Sequence, residues 1–211
     1  IAYPITLINL SDMQQGRWKE YDVLIMPNGN YRFLGDKGQA EALRTWVESG
    51  GHLVAMENAV AQLSRLDWAI KPKKQEGEES KEPYAALKRY EERERDFIPE
   101  MTPGSIYRVE LDNTHPLGFG YPSYYYTLKQ DANIYDFIRD GGWNVGVIKK
   151  DRQVAGFVGS RLRERLQDGL LFGVQEIGQG TITHLGDNLL FRSFWENGKL
   201  MFSNAVFLVG D

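Results

Sequence analysis

The stretch Gly50-Gly51-His52-Leu53-Val54-Ala55-Met56-Glu57-Asn58-Ala59-Val60 constrains the fold more than any other part of the chain. A glycine pair closes an amphipathic helix, a short apolar run follows, and one abrupt polar residue leads into small residues that open another helix. This is the grammar of a strand-to-helix elbow. Such an elbow holds one side chain up at the C-terminal edge of a parallel sheet, where open α/β folds put their sites. The side chain here is Glu57. A carboxylate is not an acyl-transfer nucleophile of the thiol or hydroxyl kind, and the chain has no cysteine. The elbow is therefore expected to be either repurposed or empty.

The flanking segments agree with an α/β reading. Ile5 to Leu10 and Tyr21 to Met26 are β-rich apolar runs, and continuous runs of this length suit strands covered on both faces. Pro27-Asn28-Gly29-Asn30 breaks the second run into a turn. Between Gly38 and Gly50 the residues Ala40, Leu43 and Val47, with Trp46 beside them, share one helical stripe, while Glu41, Arg44 and Glu48 lie off it. The order strand, strand, helix, strand, helix predicts an open, mostly parallel, flavodoxin-like sheet flanked by helices.

At 211 residues, 42% hydrophobic and 26% charged, the chain reads as a single domain, 1–211, able to bury a full core. A formal charge of −4 lacks the basic excess of a nucleic-acid binder. No stretch approaches the roughly 20 apolar residues of a membrane span. Because Ile1 opens inside an apolar run, the chain is expected to be a fragment of a longer polypeptide. Residues 71–97 change character: a charged insertion of mixed sign is followed by a helix from Pro83 to Phe97. Its bland reading is a solvated surface segment, and its sharper one a lid over the elbow.

From Ser105 onward the chain turns β-rich, giving an elaboration in the second half. Ile106 to Leu111 alternates as a half-exposed strand should. Tyr121 to Tyr126, Val145 to Ile148, Val154 to Val158 and Gly169 to Gln175 follow, then a hairpin joint at Glu176 to Gly180 and the run Thr181 to Leu185. Two helical segments close the chain. The last, with Leu200, Met201, Ala205, Phe207 and Leu208, is apolar enough that it has to pack back on the sheet.

The runs Tyr21 to Gly29, Leu43 to Ala55, Asp112 to Gly120 and Gly186 to Trp195, with Asn204 to Phe207, together resemble the class I glutamine-amidotransferase-like domain. More narrowly, they resemble its version at the C-terminus of secreted bacterial zinc carboxypeptidases of the carboxypeptidase A type. The resemblance implies a cysteine nucleophile at the elbow, an oxyanion loop after an earlier strand, and a histidine with a carboxylate after a late strand. Those positions fall here on Glu57, on Pro27-Asn28-Gly29-Asn30, and on His184-Leu185-Gly186-Asp187. The nucleophile is lost, so glutamine hydrolysis through a thioester is closed to this chain. The resemblance also implies a peptidase domain of the same polypeptide as partner and a periplasmic or secreted location.

Glu57, His184 and Asp187 are thus the candidate residues of a degenerate catalytic site, and Asn28, Gly29, Asn30 and Asn58 the candidate ligand-binding residues. Each has a plainer alternative. Glu57 would cap its own helix through backbone amides, Asn28 to Asn30 would simply form a turn, and Asp187-Asn188 would cap the following helix. His52 reads as a packing residue and His115 as a turn-fixing one. The three histidines form no metal-site spacing, so neither metal nor cofactor is expected. Tyr121, Tyr124, Tyr125 and Tyr126 are read as cross-strand packing rather than a stacking platform. Two functions remain: a non-catalytic accessory domain of a zinc carboxypeptidase polypeptide, or an independent hydrolase or transferase using Glu57 with His184.

Overall fold

The structure, a computed structural model, describes residues 4–13, 16–74, 89–90, 95 and 97–210. Eight strands occur among them: β1 Val23–Met26, β2 His52–Met56, β3 Gly104–Leu111, β4 Tyr124–Lys129, β5 Gly142–Ile148, β6 Gln153–Phe157, β7 Gly169–Ile177 and β8 Gly180–Leu185. The α-helices are α1 Leu10–Met13, α2 Lys37–Glu48, α3 Asn58–Leu63, α4 Ser160–Leu166 and α5 Glu196–Phe207. All strands belong to one sheet in the order β1-β2-β8-β7-β5-β3-β4, with β6 pairing to β3 off this path.

The α/β class holds, but the open, mostly parallel sheet does not. Only β1 with β2 and β2 with β8 run parallel; the other five pairings are antiparallel. The physical reason is the length of the joints. A parallel pair needs a crossover of a dozen or more residues, as α2 provides between β1 and β2. The joint between β7 and β8 is a tight hairpin closed by the pair Ile177 and Gly180, with Gly178 at φ 63, and so short a joint can return the chain only antiparallel.

Local signals around the elbow form as read. Asp36 caps α2 by accepting from Gln39 N at 2.9 Å. The helix ends where Gly50 takes φ 114, and Gly51 lies so close under the Trp46 indole that a side chain there would collide with the ring. Strand β2 is buried at all five positions and alternates between two cores. Leu53 and Ala55 pack with Leu43, Val47, Val60 and Ile182 on one face; Val54 and Met56 pack with Val109, Phe172, Leu185 and Met201 on the other. Each fully buried aliphatic side chain contributes about 1.5–3 kcal/mol relative to exposure, which fixes the register of β2 against both neighbours.

Two further expectations change. Ile5 to Leu10 forms no strand; Ile5 and Leu7 are exposed, and helix α1 starts at Leu10. With β1 already ending the sheet, the run pairs with no strand and only Ile8 packs against the core. The segment Ser160–Leu166, not singled out by the sequence reading, is helical and buries Leu162 and Leu166. The expected helix from Pro83 to Phe97 lies almost wholly outside the described residues, as does most of the charged insertion. Helix α5 does pack back on the sheet, through Met201 and Ala205.

Candidate functional site

Strands β1, β2 and β8 run parallel, so their C-terminal ends share one edge. That edge carries the Asn28 to Asn30 loop, Glu57, and Gly186-Asp187-Asn188 in turn. Glu57 stands at φ 49, ψ −115, a conformation that costs an L-residue about 1–3 kcal/mol. Its backbone N–H donates to Leu185 O at 2.9 Å, which ties the elbow to the end of β8. Although Glu57 occupies the N-cap position of α3, its side chain caps nothing. The plainer reading, a carboxylate spent on its own helix, is overturned. The Asn188 side chain instead acts on the carboxylate and lowers its pKa, while Asn188 Oδ1 accepts from Leu190 N at 3.0 Å.

Behind Glu57 lies a buried polar cluster that the sequence reading missed. Lys129, at the end of β4 and fully buried, sets its ammonium 2.7 Å from Asp187 Oδ1 and 2.6 Å from Asp131 Oδ1. Thr127 Oγ1 donates to Asp187 Oδ2 at 2.6 Å. The hydroxyls of Tyr107 and Tyr135 are buried beside the cluster with no hydrogen-bond partner. Tyr135 feels the charges of Asp131 and Asp187, and Tyr107 that of Lys129. One clue lay in the sequence. Tyr125, Thr127 and Lys129 are alternate residues of one strand and therefore share a face, so a lysine sits on the face that buries a tyrosine.

The electrostatics follow from three carboxylates around one ammonium. Burial pushes the Glu57 carboxyl above its ordinary range, and Asp131 and Asp187 push it further, against the opposing influence of the Asn188 side chain and the Lys129 charge. Burial alone would lower Lys129, but Asp187 and Asp131 outweigh it, and its pKa is raised, so the ammonium stays charged. Burial also raises Asp187, with Lys129 opposing and Asp131 assisting. Both members of the pair shift upward because burial, assisted by Asp131, raises Asp187, while the two aspartates together raise Lys129.

The remaining candidates divide. Asp187 does lie beside Glu57, but as a like charge whose own hydrogen bonds go to Thr127 and Lys129. His184 is not brought to Glu57. It pairs in register with Ala55, on the sheet face opposite Met56 and Leu185, and its Nε2 is 3.2 Å from Gln175 Oε1. Burial lowers its pKa to about 3, so the ring is neutral. The loop Asn28 to Asn30 reaches the elbow through an acceptor: Gly29 O takes hydrogen bonds from Asn58 Nδ2 and Gln62 Nε2, both at 2.8 Å. Asn28, Asn30 and Asn58 are exposed. A cavity of about 510 Å³ opens elsewhere, between Ala69 to Lys71 and Asp136 to Asp140 with Gln175 among its lining residues. The elbow combines exposed asparagines and a half-buried Glu57 with a buried Lys129–Asp187 ion pair.

The other histidines serve structure. His52 bridges Thr181 Oγ1 at 2.6 Å and Ala205 O at 2.7 Å, joining β2, β8 and α5. His115 Nδ1 accepts from Leu117 N at 3.1 Å at a turn. Among the described residues no group of three or more His, Cys, Asp or Glu is placed to hold a metal ion, and no helix is long and apolar enough to cross a membrane. In the tyrosine cluster, Tyr125 is buried against Phe172, while Tyr124 packs edge-on against Tyr126 and under Arg108.

No family model and no curated protein matches this chain. The solved structures similar to it include the following two. A Bacteroides uniformis protein described as ThuA-like shares 14% identity, with 94% of this chain and 73% of that one covered and a TM-score of 0.48. A cytoplasmic protein of Salmonella typhimurium shares 16% identity over 97% of this chain and 74% of its own, with a TM-score of 0.49. The resemblance drawn from the sequence is corrected here: neither neighbour is described as a carboxypeptidase domain, and nothing links this chain to the C-terminus of one.

Proposed function

We propose that this chain binds a small polar ligand, without covalent chemistry, at the elbow, and that Glu57 is the group that meets it. The observation that carries this reading is the strained backbone of Glu57 combined with a carboxylate that caps nothing. Strain of this kind persists where the surrounding structure imposes it, and it clusters at binding and catalytic positions. The buried charges behind Glu57 point the same way, since perturbed titratable groups gather at functional sites. The chain has no cysteine, so none of its own side chains can supply the thiol of a thioester. A hydrolytic pairing of Glu57 with His184 draws no support from the hydrogen bonds of either side chain.

Amide shift mapping with a set of small polar compounds tests the reading. Shifts are expected to concentrate at Asn28 to Asn30, Glu57, Asn58 and Asn188, and to vanish in Glu57→Gly. Shifts that gather at the 510 Å³ cavity instead, or that persist unchanged in that variant, would overturn it.

A further inference from the structure

Away from the elbow, the cavity of about 510 Å³ has the size of a small-molecule pocket, which runs to roughly 300–1,000 Å³. Its walls are held by hydrogen bonds within the chain. Asp136 N donates to Lys71 O and Lys73 N to Ile134 O, both at 2.9 Å, so the segment after α3 and the loop before β5 are stitched together. Farther along that loop, Asn144 grips the Ile138 backbone from both sides, accepting from its N–H and donating to its carbonyl at 2.8 Å each. Glu176 N then ties β7 to Gly141 O at 2.8 Å. The cavity is therefore preformed, with Ile70, Phe137 and Ile138 in its apolar lining.

Gln175, on β7, is the uncharged polar side chain of the lining, and two neighbours fix its orientation. The Trp68 carbonyl can only accept, so the amide nitrogen has to face it, as it does at 2.8 Å. The amide oxygen is thereby turned to His184, whose Nε2 lies 3.2 Å away. His184 is 1% exposed and its ring is neutral, with a single N–H. That proton has to stand on Nε2 to satisfy Gln175, which leaves Nδ1 buried without a partner. An unpartnered buried nitrogen costs free energy, and what it secures is a glutamine amide locked in one orientation. A primary amide has two N–H donors and two lone pairs on its oxygen. Trp68 and His184 engage one of each, and the other N–H and the other lone pair have no partner among the described residues.

The charges around the cavity cancel, Lys71 and Arg139 standing against Asp136 and Asp140. A ligand of either net charge meets a like charge for every opposite one. We propose that this cavity binds a small neutral ring compound carrying a primary amide, the ring covered by Ile70, Phe137 and Ile138 and the amide completing the hydrogen bonds of Gln175. The proposal is independent of the elbow reading, because the small polar compounds that test the elbow have no apolar body for these residues to cover.

The test titrates benzamide into the full chain, with N,N-dimethylbenzamide, benzoate and benzylammonium as matched probes, and follows amide shifts. Benzamide is expected to shift Ile70, Ile138 and Gln175 saturably and to leave Glu57 and Asn58 unmoved. N,N-dimethylbenzamide keeps the ring and the carbonyl but has no N–H, so its affinity is expected to be about tenfold weaker, the worth of one hydrogen bond. The two charged probes are expected to bind more weakly than benzamide as well. Gln175→Met, or Gln175→Glu should the first not fold, is expected to weaken benzamide by about tenfold or more for the same reason; if neither folds, the probe series on the unsubstituted chain decides alone. Equal binding of benzamide and its dimethyl derivative would overturn the amide assignment, and so would benzamide binding that a folded Gln175 variant leaves unweakened. Benzoate or benzylammonium binding as tightly as benzamide would overturn the neutral class. Shifts confined to the elbow, or none at the cavity, would overturn the site itself.

Discussion

Lys129 Nζ lies 2.7 Å from Asp187 Oδ1 although four strand pairings separate β4 from β8 in the sheet. In a flat sheet, four spacings of roughly 4.8 Å would hold the two strands about 19 Å apart, beyond the reach of any side-chain pair. The sheet is therefore curled, with β4 turned back over the end of β8, and the ion pair is both a consequence of that curl and a clasp on it.

Removing one half of a buried pair leaves an uncompensated charge. Lys129→Met is expected to destabilise the fold by about 3–5 kcal/mol, read as a lower urea midpoint at unchanged slope. A Lys129→Met, Asp187→Leu double variant should recover a substantial part of that loss, because no lone buried charge remains; a double variant as unstable as the sum of the singles would contradict the clasp.

Glu57 pays for its backbone angle in stability. Glu57→Gly is expected to raise the unfolding free energy by about 1 kcal/mol, since glycine adopts positive φ without the penalty of about 1–3 kcal/mol borne by other residues. Glu57→Ala, which loses the same carboxylate but keeps the strain, is the control. Equal midpoints for the two in thermal unfolding would mean that the angle stores no energy.

The pH dependence has two arms of opposite sign. His184 is held neutral in the fold, its pKa lowered to about 3 from 6.5. Below pH 6.5 the unfolded chain takes up a proton that the folded chain refuses, so stability falls as pH drops from 6.5 toward 3, by at most about 1.4 kcal/mol per pH unit. His184→Asn should flatten this arm. Glu57 has its folded pKa raised above 4.5, so the folded chain keeps a proton the unfolded chain has lost, and stability declines as pH rises from 4.5 through the folded value. Glu57→Gln should remove that decline, and urea midpoints measured from pH 4 to 8 test both arms.

Gly198 sits in α5 directly against the Leu189 carbonyl, with no room for a side-chain carbon. Gly198→Ala is expected to push α5 off the sheet at a cost of about 1–3 kcal/mol or more, reported by faster hydrogen exchange at Met201 and Ala205. Unchanged protection there would show that α5 docks independently of this contact.

Much of the elbow was legible because its signals are local. The Gly50-Gly51 stop, the apolar run His52 to Met56 and the turn at Pro27 to Asn30 each depend on residues within a few positions of one another, and each formed. The parallel sheet was over-extended because alternation and apolar runs report strands without reporting direction; direction was written in joint length, as at Ile177 to Gly180. The pairing of Glu57 with His184 failed for a related reason. A strand has two faces, and the register of β8 against Ala55 puts His184 on the face away from Met56 and Leu185.

The sequence by itself determined that a carboxylate, and no thiol, would stand at a strand-to-helix elbow, since that depends on residue identity and on short-range backbone preference. Only the tertiary structure decided what that carboxylate would face. Lys129, Asp131 and Asp187, whose charges act on Glu57, lie more than 70 residues from it along the chain, and no local pattern couples them to it. They meet because the sheet curls, and buried charges separated by that much chain interact only once folding has removed the water between them.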